Sequence, residues 1–315
     1  MLKFVLRRTA QALLVFVIVT FLCYVALYHL GNPFAAVGEK VIPPQTQEIL
    51  RETFKLDRPL PVQYLNFLGN LFTGDLGIDY DKRLPVFRLI ADAVPNTVRL
   101  AVLAVVLQLV IGICAGVLAA LRQGSFTDTL VSVSTIVLLS VPLIVTSATL
   151  RDTLSGVRVL GITLFPALPR TIAVEVHWYD ELILPAVALA LGGTAFIARM
   201  TRGTMLEVLE ADYVRTAWSK GLRPRTVIFK HALRNAVIPI ANIAAIELGV
   251  LLGGAIIVEA IFQYHGVGYL FARSLRSLNA PMLMAIMSYM VAGFVVLIAL
   301  LDILCAYLDP RLRID

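Results

Sequence analysis

The sequence predicts an all-α integral membrane protein, and three properties of the 315-residue chain point to that class. Hydrophobic residues make up 59% of the chain and charged residues only 15%, whereas a soluble domain has about 25% charged residues. The mean hydropathy is +0.84. The apolar residues fall in runs that approach the ~20 residues an α-helix needs to cross a bilayer. Because a spanning backbone must form its own hydrogen bonds in lipid, we expect these runs to be helices.

Six candidate spans alternate with polar segments along the chain. In chain order they are Thr9–Leu30, Leu100–Leu121, Thr129–Leu150, Leu182–Ala198, Ala236–Val258 and Met282–Leu301. The first span follows Lys3, Arg7 and Arg8, as the apolar part of a signal peptide would. Its apolar run is longer than the ~7–15 residues of a cleavable signal. We therefore expect an uncleaved anchor helix.

The orientation of the spans follows from the distribution of lysine and arginine, which concentrate in cytoplasmic loops. With a cytoplasmic N-terminus, the inner segments contain 14 Lys/Arg in 59 residues and the outer segments 12 in 119. The inner segments are then 1–8, 122–128, 199–235 and 309–315. The outer segments are 31–96, 151–181 and 260–281. The roughly twofold higher density inside predicts that both termini are cytoplasmic.

The polar segments divide the chain into three predicted parts. Residues 1–96 comprise the anchor helix and a long outer segment, with helical apolar spacing over 64–72 ahead of the turn-forming TGDLG at 73–77. Residues 97–308 contain the other five spans, and 309–315 form a cytoplasmic tail. We expect the outer segment to cap the outer mouth of the helix bundle.

The inner segment 199–235 carries eight Lys/Arg and three Asp/Glu and is too polar to span a bilayer. Leu206–Lys220 contains good helix formers without glycine or proline, so we expect one helix there. Gly221 stands where a C-cap is expected, and Pro224 suits the first turn of a second helix through Thr226–Arg234. The small residues of the segment would let another surface approach closely; they are Ala211, Ala217 and Gly221.

The stretches EADYVRTAWSKGL (210–222) and KHALRNAVIP (230–239) carry a resemblance to a known family. Together they resemble the cytoplasmic coupling loop of ABC importer permeases, and more narrowly of the B-type permease of the dipeptide, oligopeptide and nickel group. The resemblance covers nearly the whole chain. The other matching motifs are GDLG (74–77), AALRQGSFTD (119–128), GGAIIVEAIF (253–262) and AYLDPRLR (306–313).

This resemblance implies a six-helix type I ABC importer transmembrane domain in a bacterial cell membrane. The implied partners are a second permease subunit of the C-type, two ATP-binding subunits and an extracytoplasmic substrate-binding protein. ATP and magnesium would be bound by the partner ATPases, so no cofactor is expected in this chain. The coupling loop would dock in a groove of the ATPase through Glu210, Ala211, Asp212, Tyr213, Arg215, Thr216, Ala217, Lys220, Gly221 and Leu222.

The loop departs from the general pattern of the importer family, which has E-A-A, three residues and then glycine. Arg215, Thr216 and Ala217 occupy the E-A-A positions, and Gly221 occupies the glycine position. The glutamate is therefore missing, a variation that is typical of the peptide group. The later I-x-L-P of the pattern falls on His231, Leu233 and Arg234, so its proline is missing as well, while the alanine and glycine of the corner carry over.

No arrangement of residues for catalysis emerges from the sequence. There is no Walker A pattern, no H-E-x-x-H and no Cys/His cluster, so we expect neither an enzyme nor a metal site. Glu247 lies near the middle of the fifth span, where an ionisable group is a candidate for function. It would either face the translocation path and bind a substrate amino group, or bond to a neighbouring helix. Glu259, at the outer end, is expected to order a turn with Gly266 and Gly268.

Three classes of function are compatible with a polytopic helical bundle: an ABC importer permease, a transporter driven by an ion gradient, and a membrane enzyme. The coupling loop favours the first, because a gradient-driven transporter needs no ATPase dock. The resemblance favours di- or oligopeptides as substrates, with nickel, glutathione or other small solutes as alternatives. The net charge of +6 is explained by inner-surface Lys/Arg near lipid headgroups, so no nucleic acid partner is expected.

Overall fold

The computed structural model describes residues 2–30, 58–79, 82–159, 162–163 and 180–308. The elements are α1 (Leu2–Val25, continued by a π-helical turn over Ala26–Leu30), α2 (Leu60–Thr73), α3 (Val86–Leu121), α4 (Phe126–Ser140), α5 (Leu143–Leu154), β1 (Arg158–Val159), β2 (Ile162–Thr163), α6 (Asp180–Glu210), α7 (Asp212–Ser219), α8 (Pro224–Thr226, continued by a π-helix over Val227–Leu233), α9 (Arg234–Phe262), α10 (Val267–Arg276) and α11 (Ala280–Leu308). The predicted tail 309–315 lies outside the described residues, and its prediction stays a prediction.

The helices have the lengths and composition of a protein that crosses a membrane several times. Within the described residues, four helical stretches are long and apolar enough to span: Arg7–Tyr28, Val86–Leu121, Glu181–Glu210 and Ala280–Ala299. Two bent helix pairs bring the number to six if each is one span: Phe126–Ser140 with Leu143–Leu154, and Val250–Phe262 with Val267–Arg276. Each of these six overlaps one predicted span, the fifth only over residues 250–258, and the helical architecture confirms the predicted fold class.

The third span differs from the uninterrupted helix predicted over 129–150. Helix α4 ends at Ser140, Val141 is extended (φ −91°, ψ 122°), and α5 starts at Leu143 with its axis turned by 101°. Pro142 explains the break, because proline has no backbone N–H and disfavours a helical conformation in the residue before it. The prediction of one continuous helix was wrong here.

One compact unit of the chain is built around buried aromatic side chains. It consists of Met1–Thr97 and His265–Leu300. Tyr24 of α1 is fully buried and contacts Phe67 of α2, with the ring centroids 5.6 Å apart. The hydroxyls of Thr20 and Tyr64 share a buried hydrogen bond of 2.7 Å between the same helices. The predicted helical spacing over 64–72 is therefore confirmed as α2, which packs on the anchor helix.

The second compact unit is held together by helices that approach closely at small residues. It consists of Val98–Tyr264 and Leu301–Asp315. A Cβ atom on Gly116 of α3 would lie 2.5 Å from the carbonyl oxygen of Ala198 on α6. A Cβ atom on Gly193 of α6 would collide with the Gln108 side chain of α3. Such contacts are how helices gain packing energy in lipid, where burial of apolar surface gives little.

The outer end of α9 closes in a tight turn, but the predicted glycines do not make it. Gln263 adopts the left-handed conformation (φ 54°) and donates its N–H to the Glu259 carbonyl. The Tyr264 N–H donates to the same carbonyl at 3.0 Å. Gly266 has φ −101° and precedes α10, and Gly268 lies in the first turn of α10. Glu259 therefore orders the turn through its backbone, while its side chain is fully buried.

Candidate functional site

The charged insert between α6 and α9 begins with an abrupt change of helix direction. The single helix predicted over Leu206–Lys220 is in fact two helices, because α6 ends at Glu210 and α7 begins at Asp212. Ala211 between them is extended (φ −66°, ψ 145°). One residue thus joins a membrane-spanning helix to the short helix of the insert, so a displacement of α7 acts directly on α6.

An apolar stripe on one side of α7 fastens it to the rest of the chain. Val214 is fully buried and Ala217 is 5% exposed. Both pack in a small cluster with Val227, against which Val208 and Leu209 of α6 also lie. Ala217 was predicted to let a partner surface approach. The structure contradicts this, because its small side chain serves packing within the insert.

Gly221 forms the corner after α7 as predicted. Its φ is +70°, in the left-handed region. The Gly221 N–H donates to the Trp218 carbonyl at 2.9 Å, and the Leu222 N–H donates to the Ala217 carbonyl at 3.4 Å. These two bonds are those of a Schellman motif, which satisfies carbonyls left open at a helix end. The corner therefore has a defined shape that depends on glycine.

The side of α7 that faces away from the buried stripe is polar, with aromatic side chains at its edges. At about 100° per residue, Asp212, Thr216 and Ser219 lie about 140–160° around the helix from Val214, and all three are exposed. Further exposed residues are Glu210 at the end of α6, Tyr213, Arg215, Trp218 and Lys220 on or next to α7, and Leu222 and Phe229 beyond the corner. Trp218 and Phe229 were not predicted as site residues; large aromatics in a charged segment were the signal that would have found them.

Beyond the corner at Gly221, the insert continues into the spanning helix α9 without a further break. Pro224 occupies the first turn of α8, as predicted, because its missing N–H is not needed there. The helix then continues as a π-helix over Val227–Leu233 and passes into α9 at Arg234. The predicted helix Thr226–Arg234 is thus the first part of a longer one. Single π-helical turns within helices are frequent at functional sites.

An ion pair lies on α6 two turns before the insert. The Arg202 Nε donates to Asp128 Oδ1 at 2.5 Å, and Arg202 Nη2 donates to Asp128 Oδ2 at 2.8 Å. The Gly124 N–H donates to the same carboxylate at 3.0 Å, and Ser125 accepts from the Asp128 N–H at the start of α4. The pair thus joins α4 to α6. The sequence did not reveal it, because its two members are 74 positions apart.

Glu247, the predicted acid of the translocation path, lies on α9 and is half-buried. Several of its neighbours on α9 have side chains outside the described set, so its role stays a prediction. Among the described residues, no three His, Cys, Asp or Glu side chains are grouped so as to hold a metal ion.

Comparison with protein families gives matches along almost the whole chain. Residues 112–314 match the family described as "Binding-protein-dependent transport system inner membrane component". Residues 1–101 match the family described as the N-terminal part of a membrane component of the same kind of transport system. The first match includes the entire charged insert.

Curated relatives match over their full lengths. The probable peptide ABC transporter permease protein y4tP of Sinorhizobium fredii is 33% identical over 98% of this chain and 99% of its own. The oligopeptide transport system permease protein AppB of Bacillus subtilis is 34% identical over 99% of this chain and 100% of its own. A solved structure of the MetNI methionine ABC transporter has a similar fold, with a TM-score of 0.56 at 20% identity over 72% of this chain and 98% of that chain.

Proposed function

Because the chain belongs to the family of inner membrane components of binding-protein-dependent transport systems, we propose that it forms the path for peptides in an ABC importer. It is a multi-pass permease subunit of the inner membrane. Its family is that of non-catalytic permease subunits. The assignment of peptides is supported by the two relatives, both named as peptide or oligopeptide permeases, at 33% and 34% identity.

The observation that carries the proposal is the construction of the insert. Its apolar stripe is buried within the chain, so α7 does not need a partner to cover it. What α7 exposes is a polar face with Tyr213 and Trp218, each 43% exposed, at its edges. A short helix that is fixed from behind and leads into a spanning helix at one residue suits docking in a groove of an ATPase subunit.

The charges of the insert indicate the character of that groove. Besides Asp212, the exposed charged side chains from 211 to 230 are all basic: Arg215, Lys220, Arg223, Arg225 and Lys230. Complementary charges steer association and fix the register of an interface. We therefore expect acidic residues around the groove of the ATPase.

The remaining assignments follow from this role. We place a second permease subunit of the C-type beside this chain in the membrane. Two ATP-binding subunits lie at its cytoplasmic face, and a substrate-binding protein lies at its outer face. ATP and magnesium then belong to the ATPase subunits. In this division, residues 97–308 provide the transmembrane domain and 1–96 the anchor helix with its outer segment.

Glu247 is our candidate for a contact with the substrate. A carboxylate within a span is costly unless it is paired or faces water. The ammonium group of a peptide N-terminus carries the opposite charge. Glu247 would then hold the amino end of the peptide during passage, whereas a purely structural Glu247 would bond to a neighbouring helix.

Purification of the assembled transporter tests these proposals. We expect the tagged chain to retain two ATPase chains and a second permease, identified by mass. In proteoliposomes, di- or oligopeptides with their binding protein should stimulate ATP hydrolysis and enter the vesicles. Nickel and glutathione serve as competing substrates. Absence of an ATPase subunit would refute the permease role, and transport of nickel or glutathione instead of peptides would refute the substrate assignment.

A further inference from the structure

We propose that the ion pair of Asp128 and Arg202 fastens α4 to α6 so that a displacement of the insert moves both helices together. This inference rests on the proposed function, because it requires that an ATPase acts on α7. The two side chains are positioning residues: they contact no substrate and act through the helices that they join.

The pair lies close to the insert. Arg202 precedes Glu210 by eight residues, which is about 12 Å along the helix at ~1.5 Å per residue. Ala211 then leads directly into α7. Asp128 is the last residue of the inner segment 122–128 and lies in the first turn of α4. The link between α4 and α6 is therefore made within about two and a half turns of Ala211, where movement of α7 enters α6.

The geometry of the pair is that of a firm connection. The guanidinium forms two parallel hydrogen bonds to one carboxylate, at 2.5 and 2.8 Å. Such bidentate, charge-assisted bonds are about twice as strong as neutral ones and fix orientation as well as distance. The side chain of Asp128 is only 8% exposed and that of Arg202 30% exposed. Separating them would leave a buried carboxylate without its cation, so the pair favours a fixed arrangement.

The connection gives α4 a route to the insert that the chain itself does not provide. Helix α4 follows the inner turn after α3, whereas the insert lies between α6 and α9. Movement of α7 reaches α6 through Ala211. The Asp128–Arg202 pair then transmits the movement of α6 to the neighbouring helix α4. Helix α4 in turn leads to the bend at Pro142. Loss of the pair should therefore uncouple α4 from ATP hydrolysis while leaving the docking surface of the insert intact.

A distance measurement between the two helices tests this directly. Spin labels are attached at Phe126 (81% exposed) and Met200 (36% exposed), after replacement of the native cysteines, in the complex with its ATPase subunits. With the pair intact, we expect the distance between the labels to be the same with and without ATP. In Arg202→Gln we expect it to change or broaden when ATP is added. Equal distances in both states of Arg202→Gln would overturn the inference.

Transport measurements supply a second readout. We expect Arg202→Gln and Asp128→Asn to retain the ATPase subunits and to hydrolyse ATP, but to transport about 2- to 30-fold fewer peptides per ATP. Arg202→Lys should be intermediate, because an ammonium cannot form the bidentate contact. The double variant Asp128→Arg with Arg202→Asp, which exchanges the two charges, should restore part of the wild-type number of peptides transported per ATP. The matched control is Arg199→Gln, an exposed arginine of the same helix, which should leave the ratio unchanged.

The outcomes separate this inference from the proposed function. If the wild-type chain retains no ATPase, the proposed function fails. If the wild-type chain transports peptides and Arg202→Gln does so with the same ratio, only the inference fails. The inference is also overturned if Arg202→Gln and Asp128→Asn both release the ATPase subunits and the charge-exchanged double variant does not bind them again. The pair would then support the fold alone.

Discussion

Replacement of Gly221 tests whether the shape of the corner after α7 governs docking. The residue has φ +70°, where a side chain with Cβ costs about 1–2 kcal/mol. No heavy atom of the described residues lies within 4 Å of a Cβ built there, so collision with this part of the chain adds nothing. The cost of Gly221→Ala is therefore that of the backbone. Gly221→Asn should cost less, because asparagine enters the left-handed region more readily, and Gly221→Val should cost more.

The backbone cost has a measurable consequence for the ATPase. If a variant relaxes its corner when free and must return to the left-handed conformation to dock, the 1–2 kcal/mol is spent on docking and corresponds to about 5- to 30-fold weaker binding. The assay titrates the purified ATPase subunit against each variant in nanodiscs and measures peptide-stimulated ATP hydrolysis in parallel. Insertion and thermal stability of the spans should not change, because they depend on helix packing in lipid. We expect the affinity for the ATPase to decrease from glycine through asparagine and alanine to valine at position 221.

Gly203→Ala on α6 is the matched control. Gly203 is exposed and lies inside a helix, and a Cβ built on it has no heavy atom within 4 Å in the part of the chain that the structure describes. Alanine there should stabilise the helix by up to about 1 kcal/mol and leave docking unchanged. If Gly221→Ala and Gly221→Val bind the ATPase as tightly as wild type, the shape of the corner does not govern docking. The same conclusion follows if affinity falls with side-chain size alone and asparagine has no advantage over alanine.

The remaining predictions concern the substrate, the orientation and the packing. Glu247→Gln should leave assembly intact and lower uptake of peptides with a free amino terminus more than that of N-acetylated peptides; equal kinetics for both would make Glu247 structural. A cysteine at the exposed Asp75 should react with an impermeant thiol reagent added outside, and one at the exposed Ser219 should not; the reverse pattern would overturn the predicted orientation. Gly116→Val should destabilise the detergent-solubilised protein by about 1–3 kcal/mol, because its Cβ would overpack α6. The control Gly192→Ala, where a Cβ has no neighbour within 4 Å among the described residues, should unfold at or above the wild-type temperature.

The fold class could be predicted from the sequence because the membrane imposes strong rules on composition and length. A run of about 20 apolar residues has few alternatives to a spanning helix. Where one local feature opposed the run, the prediction failed: Pro142 splits α4 from α5 in a segment that is otherwise apolar. The corner at Gly221 could be predicted because its conformation follows from a local pattern of cap residues.

The contacts of the candidate site could not be predicted, because they join distant parts of the chain. Nothing in a helix-forming sequence shows that Ala211 is extended, since that conformation is set by packing of α7 on Val227. The burial of Ala217 has the same origin, and it reverses the role predicted for that residue. The pair of Asp128 and Arg202 is visible only once α4 and α6 are adjacent.

The bend between α4 and α5 has a consequence for what can surround it. Measured from Phe126, Ser140 lies about 21 Å along α4 at ~1.5 Å per residue. Measured from the other side, Leu143 touches α9 at Gly254, about 12 Å before that helix ends. Both estimates place the bend inside a hydrocarbon layer of about 30 Å.

The last carbonyls of α4 have no partner within their helix, and Pro142 cannot donate to them. Residues 139–142 are exposed at this depth. Acyl chains offer no hydrogen-bond donor, so these carbonyls require water or N–H and O–H groups as partners. A peptide that passed this point would meet acceptors that bind its main chain and are indifferent to its side chains. Such a surface would allow one passage to conduct many sequences.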